Sequence, residues 1–289
     1  MTILPRSWSL FRQALARTGG PALGTWVKLP AVESVELMAL AGFDFIVIDL
    51  EHSAMSIESA FHHIGVALLT GVSPIVRIPA LDGGIVQRLL DAGAEGIMVP
   101  HVDTADEARA AARAIRFPPL GTRGVGSTSR AGAWGAVPRD EYLRYGQEEV
   151  VLIAQIESAE AARNASAIAA VEGVDALLIG AADLSTSEGK TEAHPDVVAL
   201  IEGAVRDSLG VGVPVGNAGG AAASAVQAST DAGYAFTLMS NDASMLGAAA
   251  AAAVAAGRSI RTRSAQATDT AQTDPAQTTN SAPTAGGER

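Results

Sequence analysis

Two carboxylates at the ends of neighbouring predicted strands are the residues of this sequence best suited to do chemistry. Glu157 follows an apolar run that predicts a buried strand over 150–156, and Asp183 follows a second such run over 176–179. A helix predicted over 159–170 joins the strands, which should therefore be parallel neighbours whose carboxyl ends meet. Two anions so placed repel unless a proton or a cation lies between them, and oxygen ligands suit Mg²⁺ or Mn²⁺. A single acid would more often cap the following helix, whereas the pair favours a metal site.

A histidine at the end of an earlier predicted strand is the main candidate for a general base. His52 closes the string Asp49-Leu50-Glu51-His52, and imidazole titrates near neutrality. The alternative is a structural histidine that caps a helix or is hydrogen-bonded. A base that must regain its proton usually needs an orienting carboxylate, and Asp91, at the end of a predicted helix, is the candidate for that role.

An arginine inside an apolar strand requires an anion nearby. Arg77 interrupts the apolar run 75–78, and burying a guanidinium is costly unless a negative group meets it. That group is either a bound ligand or a structural partner, Glu51 or Asp49. We favour the ligand.

The sequence has two lysines, which limits the alternative of Schiff-base chemistry. A Schiff base needs a buried, desolvated lysine. Lys190 lies in a predicted Glu-Gly-Lys loop and is unsuited, whereas Lys28 follows the first predicted strand and is a candidate. The carboxylate pair makes a metal ion the favoured electron sink.

The elements that must position these residues follow a repeat of helix end, glycine and strand. Each interval between copies has room for a further strand and helix, so the chain is expected to hold eight strands alternating with helices, which is a (β/α)₈ TIM barrel. A doubly wound sheet is the rival fold, but no G-x-G-x-x-G follows the first strand. In a barrel the active site lies at the carboxyl ends of the strands. The four copies occupy 41–48, 92–99, 172–179 and 232–239, the intervening strands are predicted at 75–78, 150–156 and 213–215, and an opening strand is predicted at 23–27.

The remaining segments define the domain organisation. We expect one barrel domain over 1–262, with a short amphipathic helix at 7–17. An insertion at about 117–149 is rich in Gly, Pro and Arg, and long loops of this kind usually serve as a lid or a subunit contact. The tail, 263–289, has almost no large apolar residue and is predicted to be disordered.

Composition excludes several classes of function. The 289 residues include no cysteine, which excludes disulfides and thiolate chemistry. A net charge of −11 argues against nucleic-acid and anionic-membrane partners. The alanine-rich stretch 246–256 is too short to span a bilayer, and the N-terminus lacks the apolar core of a secretory signal. We therefore expect a soluble, cytoplasmic protein that acts on a small molecule.

Taken together, these residues resemble the HpcH/HpaI aldolase family, the metal-dependent class II pyruvate aldolases of the phosphoenolpyruvate/pyruvate barrel superfamily. The resemblance extends from about 23 to 256 and rests on ordered motifs at suitable spacing. These motifs lie at 42–52, 76–79, 117–127, 155–157 and 180–185.

The resemblance implies a role for each matching residue. A divalent ion, Mg²⁺, Mn²⁺ or Co²⁺, would be held by two carboxylates, and the substrate carboxylate by two backbone amides. A base paired with a carboxylate would act on the C4 hydroxyl, and the family usually forms homohexamers. The two carboxylates would be those of Glu157 and Asp183, and the two amides those of Ala182 and Asp183. Arg77 would contact the keto oxygen, and His52 would be the base with Asp91 as its partner. Glu51 and Gln155 would support the site, and Trp26 would form the pocket wall.

The expected function is that of a lyase. It would reversibly cleave a 4-hydroxy-2-oxo acid to pyruvate and an aldehyde, either a semialdehyde or a hydroxyaldehyde. One alternative on the same scaffold is an enzyme that forms its enolate by decarboxylating oxaloacetate, as macrophomate synthase-like relatives do. A CoA-ester lyase is less favoured, because the sequence has no obvious basic cluster for the CoA phosphates. A non-catalytic metabolite-binding barrel is the alternative from a different class.

Overall fold

Eight parallel strands form a closed barrel in the order in which they occur along the chain. The computed structural model describes residues 8–260. Each strand pairs with the next and β8 pairs with β1, so the predicted (β/α)₈ architecture is confirmed. The strands are β1 Ala22–Val27, β2 Phe45–Asp49, β3 Ser73–Arg77, β4 Gly96–Val99, β5 Val151–Ile156, β6 Ala176–Ile179, β7 Val215–Gly219 and β8 Phe236–Asn241.

Helices follow the strands, and those between β1 and β7 cover the outside of the barrel, where alanine, valine, leucine and isoleucine form the larger of its two main apolar clusters. A short helix, α1, precedes the first strand within the predicted segment 7–17. The helices are α1 Leu10–Leu15, α2 Glu33–Ala41, α3 Ile57–Thr70, α4 Gly83–Asp91, α5 Ala105–Ile115, α6 Arg139–Glu148, α7 Ala159–Arg163, α8 Ala165–Ala169, α9 Ala181–Ser187, α10 Pro195–Val211, α11 Ala223–Asp231 and α12 Asp242–Arg258.

Three aromatic rings close the amino end of the barrel. Phe11 of α1 packs edge-to-face on Phe45 and Phe236, with ring centroids 4.9 and 5.4 Å apart. Glycine is required beside these rings, because a Cβ would lie 2.3 Å from the Phe45 ring at Gly24 and 2.1 Å from the Phe236 ring at Gly216. Because these rings fill the amino end, the carboxyl end is the open end of the barrel.

Two elements differ from their sequence predictions. The strand predicted at 213–215 is β7, Val215–Gly219, whose Gly, Asn and Ala residues have little strand propensity; it is a strand because it pairs with β6 and β8. The helix predicted over 159–170 divides at Asn164, whose side chain donates a hydrogen bond to the Asp103 carbonyl.

The insertion at 117–149 begins and ends at the amino end of the barrel. It connects the end of α5 to the start of β5, and both of these lie at that end. It holds a 3₁₀ helix, Arg130–Gly135, together with α6, and Phe117, Val137 and Tyr142 give it a small apolar core. Its role as a lid or as a subunit contact stays a prediction.

The chain divides into two units after the barrel. The first comprises Met1–Met245, and the second comprises Leu246–Arg289, whose described part is the remainder of α12 followed by residues 259 and 260. No helix within residues 8–260 has the length and apolar character needed to cross a membrane. The tail predicted to be disordered, 263–289, lies outside the described residues, and the domain boundary at 262 stays a prediction.

Candidate active site

A bidentate ion pair joins the carboxyl ends of β2 and β3. Asp49 and Arg77 are register partners on these strands. The Arg77 Nε and Nη2 atoms donate to the two Asp49 carboxylate oxygens at 3.0 and 2.7 Å. Burial by itself raises the pKa of Asp49, but the hydrogen bonds and charge of Arg77, together with the His52 N–H and the charge of Lys28, outweigh burial and the net pKa is lowered. Asp49 is therefore an anion inside the barrel.

The same guanidinium reaches Glu51 and stacks on Trp26. Arg77 Nη1 lies 3.0 Å from Glu51 Oε2, and its central carbon lies 4.1 Å from the centre of the Trp26 ring. The Arg77 side chain is only 6% exposed. The structural partners considered from the sequence, Asp49 and Glu51, are thus both present. A guanidinium has five N–H groups, so two of them remain beyond these three contacts.

The carboxylate of Glu157 is held at the end of β5 by Gln155. Gln155 Nε2 donates to Glu157 Oε1 at 2.6 Å, and both side chains are buried. Gly180, just after β6, makes this possible, because a Cβ there would lie 2.7 Å from Glu157 Cγ. The glycine of the 180–185 motif thus leaves the space that the Glu157 carboxylate occupies.

The charge around Glu157 suits a cation. Burial raises the pKa of Glu157, and the negative charges of Glu51 and Asp183 add to this, against an opposing effect of His101. A further buried oxygen, Gln155 Oε1, has no hydrogen-bond partner among the described residues, and Glu51 Oε2 meets Arg77 only as an ion pair, without hydrogen-bond geometry. An oxygen-rich site with excess negative charge fits a hard divalent ion.

The protein supplies few ligands to such an ion. Within residues 8–260, no group of three or more His, Cys, Asp or Glu side chains is arranged to hold a metal. Mg²⁺ commonly uses one or two protein carboxylates and fills its remaining positions with water and substrate. Glu157 and Asp183 match that pattern.

Asp183 and Ala182 lie in the first turn of α9 rather than on a strand. Both residues are exposed. The first N–H groups of a helix have no partner within the helix, and the first bond of this kind in α9 runs from Leu184 N–H to the Gly180 carbonyl. The backbone amides of Ala182 and Asp183 are therefore available to a ligand.

His52 lies on the rim beside these groups. Its backbone N–H donates to Asp49 Oδ1 at 3.1 Å, and its Nε2 lies 3.8 Å from Glu51 Oε2. The side chain is 58% exposed. The carboxylate beside this imidazole is therefore Glu51, and solvent reaches the ring.

Asp91 is not brought to His52 within one chain, contrary to the predicted pairing. It is the last residue of α4, which begins after β3 and ends before β4, so it lies at the amino end of the barrel. Its carboxylate accepts hydrogen bonds from Arg123 at 3.1 Å and from the Tyr142 hydroxyl at 3.3 Å.

The two lysines lie in different environments. Lys28 Nζ is 3.4 Å from Asp49 Oδ2, and the Lys28 side chain is 30% exposed. Lys190 lies in the loop after α9, where it pairs with Asp196 at 2.8 Å. Lys28 is thus near the site but paired with an anion and partly solvated, unlike the desolvated lysine of a Schiff-base enzyme.

His101 is a site residue that the sequence reasoning missed. It follows β4, and its ring nitrogens lie 3.5 Å from Glu51 Oε1 and 3.4 Å from Glu157 Oε2. The signal was available, because His101 follows a predicted strand end just as His52 does. By contrast, His63 is a buried structural residue that is hydrogen-bonded to two backbone carbonyls.

Comparison with known proteins gives a consistent result. A family model described as HpcH/HpaI aldolase/citrate lyase matches residues 22–262. The chain is 38% identical over 237 residues to the 2-dehydro-3,6-dideoxy-6-sulfogluconate aldolase of Pseudomonas putida, covering 80% of this chain and 90% of that protein. It is 40% identical over 198 residues to a 4-hydroxy-2-oxo-heptane-1,7-dioate aldolase of Escherichia coli, covering 68% and 74% respectively. A crystal structure of an HpcH/HpaI aldolase from Desulfitobacterium hafniense matches the fold with a TM-score of 0.81 at 34% identity, covering 86% of this chain and 97% of that chain.

Proposed function

The chain belongs to the HpcH/HpaI aldolase/citrate lyase family, and we propose that it is a metal-dependent pyruvate aldolase. The reaction is the reversible cleavage of a 4-hydroxy-2-oxo acid to pyruvate and an aldehyde, either a semialdehyde or a hydroxyaldehyde. The observation that carries the proposal is one cluster at the open barrel end. It combines the buried Glu157 carboxylate, the charge of Asp183, the guanidinium of Arg77 and the exposed imidazole of His52.

Glu157 and Asp183 would hold the divalent cation, Mg²⁺, Mn²⁺ or Co²⁺. When bound, such an ion supplies electrophilic stabilisation of negative charge on the substrate oxygens. Gln155 holds one oxygen of Glu157, and Glu51 adds negative charge beside it. Both are therefore supporting residues of the site.

His52 would take the proton from the C4 hydroxyl, directly or through a water molecule. The C4–O bond then becomes the aldehyde carbonyl, and the electron pair of the C3–C4 bond is left on pyruvate as its enolate. The free N–H groups of Arg77 face the enolate oxygen and stabilise its charge. The amides of Ala182 and Asp183 hold the carboxylate, and Trp26 forms the pocket wall beneath Arg77. A proton added at C3 completes pyruvate.

Assembly is part of the proposal, as is a cytoplasmic location. Because Asp91 lies at the amino end of the barrel, it could orient His52 only from a second copy of the chain. A homohexamer, the usual assembly of the family, would offer such contacts. A chain without cysteine suits a reducing compartment.

The proposal is tested by incubating the purified, Mn²⁺-loaded chain with pyruvate and a panel of semialdehydes and hydroxyaldehydes. We expect a 4-hydroxy-2-oxo acid to form with at least one aldehyde and to be cleaved again on dilution. Oxaloacetate decarboxylation without any aldol product would instead favour the macrophomate synthase-like alternative.

Removing the imidazole of His52 should separate two reactions of this site. Aldol cleavage requires a hydroxyl proton to be taken up, whereas carbon dioxide leaves oxaloacetate without one. We therefore expect His52→Ala to lower aldol turnover by a factor on the order of 10² while much of the oxaloacetate decarboxylation is retained. Both rates are measured on one metal-loaded preparation.

The matched control is His62→Ala, which alters an exposed histidine on α3. It should leave both rates unchanged. Equal losses of both reactions in His52→Ala would mean that His52 supports the metal site or the fold, and its role as the base would be wrong.

A further inference from the structure

His101 has an unusual backbone conformation at the site. Its φ is +53°, in the left-handed region that only a few per cent of non-glycine residues adopt, histidine, asparagine and aspartate more often than the others. Such strain persists only where the surroundings hold it, and it concentrates at functional sites. His101 directly follows β4 and Pro100, at the open end of the barrel.

This conformation directs two groups of His101 towards one carboxylate. The backbone N–H donates to Glu157 Oε2 at 3.2 Å, and Nδ1 of the ring lies 3.4 Å from the same oxygen. Nε2, on the opposite edge of the ring, lies 3.5 Å from Glu51 Oε1. The imidazole therefore bridges two of the acids that surround the proposed cation, and Gln155 holds the other oxygen of Glu157.

We propose that His101 is a positioning residue that fixes the carboxylates of Glu157 and Glu51 for the divalent cation. The inference rests on the proposed function, because it assumes a cation at Glu157 and Asp183. Residues that orient metal ligands usually contribute 10–100-fold to metal affinity. The ring is 65% exposed, so its loss opens no cavity in the core.

Three variants separate the contributions of the ring and the backbone. His101→Gly adopts a positive φ without strain and retains the N–H that donates to Glu157, so it removes the ring at the cost of a freer backbone. His101→Asn tolerates the left-handed region and carries a side-chain amide that can donate to a carboxylate. His62→Asn makes the same change at an exposed position of α3 and is the matched control.

The measurement is calorimetric titration of each metal-free full-length protein with Mn²⁺, followed by the electron paramagnetic resonance spectrum of the bound ion. We expect His101→Gly to weaken Mn²⁺ binding roughly 10-fold or more and to broaden the spectrum. His101→Asn should recover part of the affinity, and His62→Asn should match the wild type. Thermal unfolding without metal should be similar in all four proteins.

An unchanged or tighter Mn²⁺ affinity in His101→Gly would overturn the inference, since the ring would then be a bystander or a competitor for Glu157. A wild-type chain that binds no Mn²⁺ would overturn the proposed metal site itself, and this inference with it. The wild-type titration thus distinguishes the two failures.

Discussion

Replacing Glu157 with glutamine is expected to remove metal binding and aldol turnover together. Glutamine has nearly the same shape but no charge, so the site loses a ligand that its neighbours cannot replace. Loss of a residue that only orients a metal ligand typically lowers metal affinity by about 10–100-fold. Loss of the ligand itself should lower the affinity further. Mn²⁺ titration and pyruvate release are measured on the same preparation.

The fold should tolerate this change. Burial raises the pKa of Glu157, which means that the metal-free fold disfavours its charged form, so a neutral side chain relieves that penalty. Gln155 can also rotate its amide, presenting its unpartnered Oε1 to the new amide of residue 157. We expect a melting temperature without metal equal to or above that of the wild type.

Glu160→Gln is the matched control, because Glu160 is an exposed residue of α7 nearby in sequence. It should change neither metal affinity nor turnover. A Glu157→Gln protein that still binds Mn²⁺ as the wild type does would remove Glu157 from the metal site.

Removing the guanidinium of Arg77 should cost both catalysis and stability. Loss of one oxyanion donor typically costs about 3 kcal/mol of transition-state stabilisation, roughly 10²-fold or more in turnover. Arg77→Ala also takes from Asp49, which is 0% exposed, the two hydrogen bonds of the guanidinium, and leaves it Lys28 and two backbone N–H groups as partners. Removing one partner of a buried ion pair costs about 3–5 kcal/mol of unfolding free energy, and the partners that remain place the expected loss at the lower end of that range. Steady-state kinetics and denaturant unfolding measure the two effects.

Arg77→Lys keeps a positive charge beside Asp49 but loses the planar fork. It should therefore recover much of the stability while kcat/KM stays at least 10-fold below the wild type. Arg206→Ala, at an exposed arginine of α10, is the control. If Arg77→Lys turned over at the wild-type rate, Arg77 would be only a buried ion-pair partner.

The barrel was predictable because a glycine followed by an apolar run marked four of the buried strands, and apolar runs alone marked β1, β3 and β5. At β7 the predicted and observed strands share only Val215, because Gly216 makes room for the Phe236 ring and pairing with neighbours outweighs local propensity. The predicted helix over 159–170 is divided at Asn164, whose side chain is hydrogen-bonded to the distant Asp103 carbonyl, and a local sequence pattern does not predict such a contact.

The placement of a candidate site residue, though not its role, was predictable where that residue follows the end of a strand. Arg77 required an anion by sequence, but only the structure shows that Asp49 and Glu51 both meet it. Asp91 does not contact His52 within one chain. The order of elements already implies this, because the helix that precedes β4 ends at the amino end of the barrel, whereas His52 follows β2 at the carboxyl end. The spacing of residues in the sequence does not reveal which side chains contact each other across strands, as the side chain of His101 does.

The most direct test of the account is pyruvate release from a 4-hydroxy-2-oxo acid by the wild-type chain before chelation, after exhaustive chelation, and after Mn²⁺ is added back. Borohydride is added with pyruvate in a parallel sample at each stage, and the protein mass is recorded. We predict that chelation abolishes turnover, that Mn²⁺ restores it, and that no pyruvate adduct forms. Full turnover by the metal-free chain, or pyruvate trapped on Lys28, would contradict the account.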